Sequence, residues 1–170
     1  MKVYSGGYSQ HMYDNESLRN GAKDLASAIP VLMRQTGAEV IVVSGKSGIA
    51  LAFATAMLID FPIVVVRKAG ENSHGHKVEG PADKVFTKYL ILDDFIDTGT
   101  TVNRIVNDLY THAEQGYGVG EPAHCVGILE YRKEVPYLDD YSVSKLSHEY
   151  ETGEGYNYYP RFWVQGARHV

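Results

Sequence analysis

The sequence predicts an α/β fold, a doubly wound, mostly parallel sheet flanked by helices, and three observations carry that prediction. Short apolar runs at Glu39–Val43, Phe61–Val66, Tyr89–Leu92 and Ala123–Tyr131 read as strands rather than helices. Stretches of helical spacing lie between them, and strands that alternate with helices build a parallel sheet with right-handed crossovers. In Tyr89–Val102 a buried strand, a sharp acidic turn and a helix start follow one another directly. A chain of 170 residues fits one domain and can bury a substantial core.

Each element follows in order. Met1–Tyr13 is polar and glycine-bearing and reads as an edge strand or an arm over a site. Asn15–Gln35 is a helix, with Asn15 as its cap and a face of Leu18, Ala22, Leu25, Ala26, Ile29, Leu32 and Met33. Pro30 kinks it or starts a second helix, and Gly37 ends it. The strand Glu39–Val43 runs into Ser44-Gly45-Lys46-Ser47-Gly48, a small-residue loop before a helix over Ile49–Ile59. Strand, Gly-Ser-Lys loop and helix form one anion-binding arrangement, because the first N–H groups of a helix have no internal partner and the dipole is positive there.

Phe61–Val66 ends at Arg67-Lys68, two cations where ligands bind in open α/β sheets. Ala69–Ala82 has three glycines, two histidines and no apolar period, and fits a mobile lid. After Tyr89–Leu92, three carboxylates (Asp93, Asp94, Asp97) and the run Thr98-Gly99-Thr100-Thr101 precede a helix to about Glu114. Val102, Ile105, Val106 and Leu109 give that helix its spacing. Thr98–Thr101 form a second anion site, and carboxylates beside it suit sugar hydroxyls or a divalent cation. Gln115–Glu121 is a glycine-rich loop, and Ala123–Tyr131 is a strand. Val135–Leu138 is a short aromatic segment, Tyr141–Tyr150 reads as a strand on an appended layer, and Phe162-Trp163-Val164 reads as a terminal strand.

Leu90–Thr101 resembles the phosphoribosyl-pyrophosphate (PRPP) motif of the type I phosphoribosyltransferases. Asp97-Thr98-Gly99 is most similar to the 6-oxopurine branch. The resemblance implies the type I core over about residues 15–131, a hood from the chain ends (about 1–14 and 132–170) and a lid at about 69–82, all in one domain. It implies transfer of ribose 5-phosphate from PRPP to a nitrogenous base, a purine on the Asp97 evidence, with release of pyrophosphate and with Mg2+ as cofactor. Asp93 and Asp94 then hold the ribose hydroxyls, and the metal mainly through PRPP and water. Thr98, Gly99, Thr100 and Thr101 cradle the 5′-phosphate. Ser44–Gly48 with Arg67 and Lys68 receive pyrophosphate, and Asp97 takes the base proton near N7. His74-Gly75 resembles the lid of the orotate branch, against the purine assignment. Phe95, Ile96, Tyr156, Phe162 and Trp163 are candidates to contact the base. A homodimer is implied. The alternatives are an orotate- or other pyrimidine-type enzyme, or a PRPP- or nucleotide-sensing regulator without activity. A pyrophosphokinase-type relative is disfavoured by the single short domain.

Other readings fail on spacing. Asp97-Thr98-Gly99 is also the aspartic-protease triplet, but a helical pattern follows it and no second copy exists. A response-regulator acidic pocket lacks such a phosphate cradle. A P-loop needs glycine at the position of Val40. Ser147-His148-Glu149 is no triad, because adjacent side chains diverge, and His74 with His76 lacks a third metal ligand nearby. Net charge −5 without a basic cluster predicts no nucleic-acid partner. No apolar run spans a membrane and no signal peptide is visible, so a cytoplasmic location is expected. Cys125, the one cysteine, is expected to be a core thiol, and 13 tyrosines cluster toward the chain ends.

Overall fold

A computed structural model describes residues 14–68, 70, 76–93, 99–114, 122–132, 145–152 and 155–165; from residue 132 onward only the course of the backbone is described. The elements are α1 (Asn15–Thr36), β1 (Val40–Val43), α2 (Gly45–Ala56), β2 (Ile63–Val66), β3 (Val78–Glu79), β4 (Lys88–Asp93), α3 (Thr100–His112), β5 (His124–Arg132), β6 (Lys145–Thr152) and β7 (Gly155–Gln165). They form a seven-stranded sheet in the order β3-β2-β1-β4-β5-β7-β6. β1 pairs parallel with β2 and β4, β4 with β5, and β5 with β7; β3 and β6 run antiparallel at the two edges.

Strand geometry divides the core into two layers. Successive side chains of a strand point to opposite faces. Ile41, Val43, Leu90, Leu92 and Leu129 therefore meet Leu25, Ile29 and Leu32 of α1 and Leu51 and Ala52 of α2. Val40, Val42, Val64, Tyr89, Ile91 and Ile128 face the other way, onto Val102, Ile105 and Leu109 of α3. Both faces of the central strands are covered, which explains why Tyr89–Leu92 is apolar throughout. Burying each of these Leu, Ile or Val side chains contributes about 1.5–3 kcal/mol.

Several boundaries differ from the sequence expectation. The α1 cap is Asp14, not Asn15; its carboxylate accepts from Ser17 N at 3.0 Å. Pro30 lies within a continuous α1. Gly37 ends α1 in the left-handed region (φ 72°), and its N–H donates to Met33 O at 2.9 Å. Part of the stretch expected as a lid is ordered sheet: Val78 and Glu79 pair with Val66 and Val65. Over 145–152 and 155–165 the strands β6 and β7 continue the main sheet. β7 extends the main sheet beside β5, with Leu129 opposite Phe162 and Glu130 opposite Trp163. Residues 1–13, 133–144 and 166–170 lie outside the described part. Cys125 is partly buried within β5, and burial pushes its thiol up to about 12, as a structural thiol requires. Among the described residues no helix is long and apolar enough to cross a membrane.

Candidate active site

β1 and β4 are neighbours in register, with Val43 opposite Leu92. From β1 the chain enters α2 on the face shared with α1, and from β4 it enters α3 on the opposite face. The carboxyl ends of these two strands are therefore the point where the winding reverses, the place where open α/β sheets hold their ligand crevice, between helices that leave in opposite directions. Two helix N-termini flank it.

The α2 side is built first. The run Ser44–Gly48, expected as a loop, is the N-cap and first turn of α2. Ser44 does not cap the helix with its hydroxyl. Buried, its Oγ donates to Val66 O at 2.6 Å and accepts from Arg104 Nη2 at 2.6 Å. The first backbone N–H groups of α2 thus donate no hydrogen bond to Ser44 Oγ. Gly45 has φ 80°, and a Cβ built on it would lie 3.1 and 3.2 Å from Lys68 Cε and Nζ. The Lys68 ammonium therefore sits over the positive end of a helix, an arrangement that an anion between them would stabilise. Gly48 is needed for close approach: a Cβ there would lie 3.1 Å from Leu92 O. Lys46 is exposed, and Ser47 is half-buried.

On the other side, Asp93 ends β4 and is buried (7% exposed). Its registered neighbour on β5 is Glu130, which is fully buried. Residues in register on parallel strands share a face, so two carboxylates stand side by side on the α3 side of the crevice. Gly99 caps α3 at φ 74°, a conformation that favours glycine, and Asn103 N donates to Gly99 O at 2.9 Å. Thr100 and Thr101 are the first residues of α3, with no side-chain cap before them. Asp94, Phe95, Ile96, Asp97 and Thr98 lie outside the described residues, as do His74 and Gly75 and the side chains of Tyr156, Phe162 and Trp163.

The basic pair at the end of β2 separates in role. Arg67 is committed to the protein: Nη2 donates to Glu79 Oε1 and Oε2 at 2.9 and 2.8 Å, and its backbone N–H donates to Lys77 O at 2.9 Å. It ties β3 to β2, and a pyrophosphate contact through the same Nη2 would compete with Glu79. Lys68 is exposed at the mouth. Glu79, Lys77, Arg104 and Asp108, none of them apparent from the sequence, surround this end. Lys77 pairs with Asp108, and Arg104 Nη1 lies 3.9 Å from Asp108 one turn along α3. An arginine one turn into the helix that follows the Thr98–Thr101 run was the available signal for Arg104.

The structure thus brings together the first turn of α2, Lys68, Asp93 and the first turn of α3. Among the described residues no three His, Cys, Asp or Glu side chains form a metal cage. A buried carboxylate at a crevice beside two phosphate-ready helix ends suits magnesium, which binds through one or two carboxylates plus substrate phosphates and water.

No protein-family model matches the chain. An orotate phosphoribosyltransferase of Listeria monocytogenes is 37% identical over 101 residues, 58% of this chain and 46% of the relative. The purine biosynthesis transcriptional repressor PurR of Bacillus subtilis is 27% identical over 150 residues, 76% of this chain and 51% of that protein. The chain therefore spans about half the length of the curated relatives it matches. Among solved structures, UMP synthase of Leishmania donovani superposes with a TM-score of 0.53 at 17% identity, covering 78% of this chain and 28% of that one. Orotate phosphoribosyltransferase of Francisella tularensis gives 0.51 at 20% identity, covering 69% and 50%. The chain therefore shares the fold of these phosphoribosyltransferase structures.

Proposed function

We propose that the protein is a PRPP-dependent phosphoribosyltransferase. The observation that carries this reading is the pair of helix N-termini, α2 at Gly45 and α3 at Thr100, on either side of buried Asp93. Two anion sites separated by a hydroxyl-binding carboxylate match a sugar that carries a phosphate at one end and a diphosphate at the other. The α3 end with Thr98–Thr101 takes the 5′-phosphate. Asp93 and Asp94 hold the ribose hydroxyls. The α2 end, Ser47 and Lys68 take the diphosphate, and Arg67 supports them from behind. Bound magnesium would neutralise charge on the leaving group. As the bond from carbon 1 to the diphosphate breaks, its electron pair leaves with pyrophosphate. A ring nitrogen of the base donates its lone pair to carbon 1, and Asp97 takes the proton the base must shed.

Asp97 in this place supports a purine acceptor. The name of the Listeria relative supports orotate instead. A cytoplasmic homodimer is part of the same proposal. A second class of reading rests on the PurR likeness, which runs over 76% of the chain against 58% for the orotate enzyme. In that reading the site binds PRPP or a nucleotide and turns nothing over. Pyrophosphate release from PRPP and magnesium, measured against hypoxanthine, guanine, xanthine, adenine, orotate, uracil and nicotinamide, separates the three. Turnover with one purine that collapses in Asp97→Asn is expected. Turnover with orotate moves the acceptor to pyrimidine, and tight PRPP binding without turnover on any base selects the regulator.

A further inference from the structure

The ladder between β1 and β2 ends at Val43 and Val65. Beyond it the two chains carry the two halves of the proposed diphosphate subsite: Ser44 leads into α2, and Val66 leads into Arg67 and Lys68. Side chains hold these ends together. Ser44 Oγ donates to Val66 O at 2.6 Å. Arg104, reaching from α3 on the sheet's other face, donates through Nη2 to Ser44 Oγ at 2.6 Å and through Nη1 to Arg67 O at 2.7 Å. The Arg104 side chain is largely covered, 23% exposed, and Asp108 lies 3.9 Å from its Nη1.

We infer that Arg104 is a positioning residue that sets the spacing between the α2 N-terminus and the Arg67-Lys68 arm, and so the affinity of the diphosphate subsite. Two donors of its planar fork are bound to protein oxygens, so it acts through Ser44 and Arg67 rather than as a pyrophosphate ligand. The geometry needs a guanidinium: one rigid fork reaches two acceptors on different strand ends, which a single ammonium cannot do in the same way. This inference rests on the PRPP reading of the site.

The test is calorimetric titration of the wild type, Arg104→Ala and Arg104→Lys with magnesium pyrophosphate and, separately, with ribose 5-phosphate, alongside thermal melting. The Kd for pyrophosphate should rise on the order of tenfold in both variants, the scale of one lost charge-assisted hydrogen bond. Ribose 5-phosphate, read at α3 and Asp93, should stay within roughly twofold. Arg104→Lys keeps the charge and carries the test alone if Arg104→Ala does not fold. Ser44→Ala, which removes the shared acceptor and leaves the guanidinium, should weaken pyrophosphate in the same direction. Wild-type pyrophosphate affinity in Arg104→Lys overturns the inference. So does an equal loss for both ligands, which would make Arg104 a general fold contact. A wild type that binds neither ligand overturns the PRPP reading itself, whereas one that binds both leaves that reading in place whatever Arg104 does.

Discussion

The two ends of the paired strands β1 and β4 treat a carboxylate in opposite ways. At the amino end, Glu39 accepts from Thr87 N at 2.9 Å, Thr87 Oγ1 at 2.8 Å and Lys88 N at 3.3 Å. Its charge is satisfied by donors from the strand it clamps. At the carboxyl end, Asp93 is buried beside the fully buried Glu130. Two carboxylates in register thus share one end of the sheet. The first arrangement clamps two strands together; the second places a carboxylate pair where the proposed ligand would bind. The comparison teaches that residue type does not by itself mark function, and that position at the amino or carboxyl end of the strands separates the two roles.

The largest effect that would break this comparison is at Asp93. Asp93→Asn keeps the shape and removes the charge. Pyrophosphate release should fall about a hundredfold or more, the scale of losing one preorganised electrostatic group. Melting temperature should change little, because the amide keeps the shape of the carboxylate. Full activity in Asp93→Asn would show the crevice carboxylate to be structural, like Glu39.

A smaller effect is expected where α2 meets β4. Gly48→Ala places a Cβ 3.1 Å from Leu92 O, and the neighbour is backbone that cannot swing aside. Alanine gains about 1 kcal/mol of helix propensity over glycine. Overpacking costs about 1–3 kcal/mol, so net destabilisation is expected. Urea denaturation checks the sign, and a more stable Gly48→Ala would mean that α2 can retreat from β4 without loss.

These two sites also show what local sequence can and cannot carry. The β4–α3 unit was legible because its signal is dense: an apolar strand, acidic residues and a helical period within a few residues of each other. The start of α2 was not. Ser44-Gly45-Lys46-Ser47-Gly48 has loop composition, yet it is the cap and first turn of α2, and Gly48 is glycine because Leu92 O, 44 positions away, crowds any side chain there. Arg104 was missed for the same reason, since its partner Ser44 is 60 residues distant. β3 is only two residues long inside a glycine-rich stretch, so the Arg67–Glu79 pair that removes Arg67 from the free cations left no periodic trace. The C-terminal aromatic strands were visible as strands. Their place beside β5 is a tertiary pairing that periodicity does not encode.

The smallest effect tests the amino end and has a defined pH dependence. The Thr87 backbone N–H, then its hydroxyl, hold the Glu39 carboxyl below its ordinary 4.5. A carboxyl depressed in the folded state adds stability above the unfolded value and loses it as pH falls through the folded value. Glu39→Gln should therefore lower the melting temperature by a few degrees at pH 7. The gap to the wild type should narrow only below about pH 4.5, as the wild-type carboxyl begins to protonate in the unfolded chain. Pyrophosphate release at pH 7 should be unchanged, because Glu39 lies at the far end of β1 from the crevice. Melting curves at several pH values, paired with activity, decide it. A gap that stays constant down to pH 3 would show that the hydroxyl and amide donors do not favour the charged form. A loss of activity without a loss of stability would mean that the two ends of β1 are coupled, and the division between a stabilising end and a functional end would then have to be abandoned.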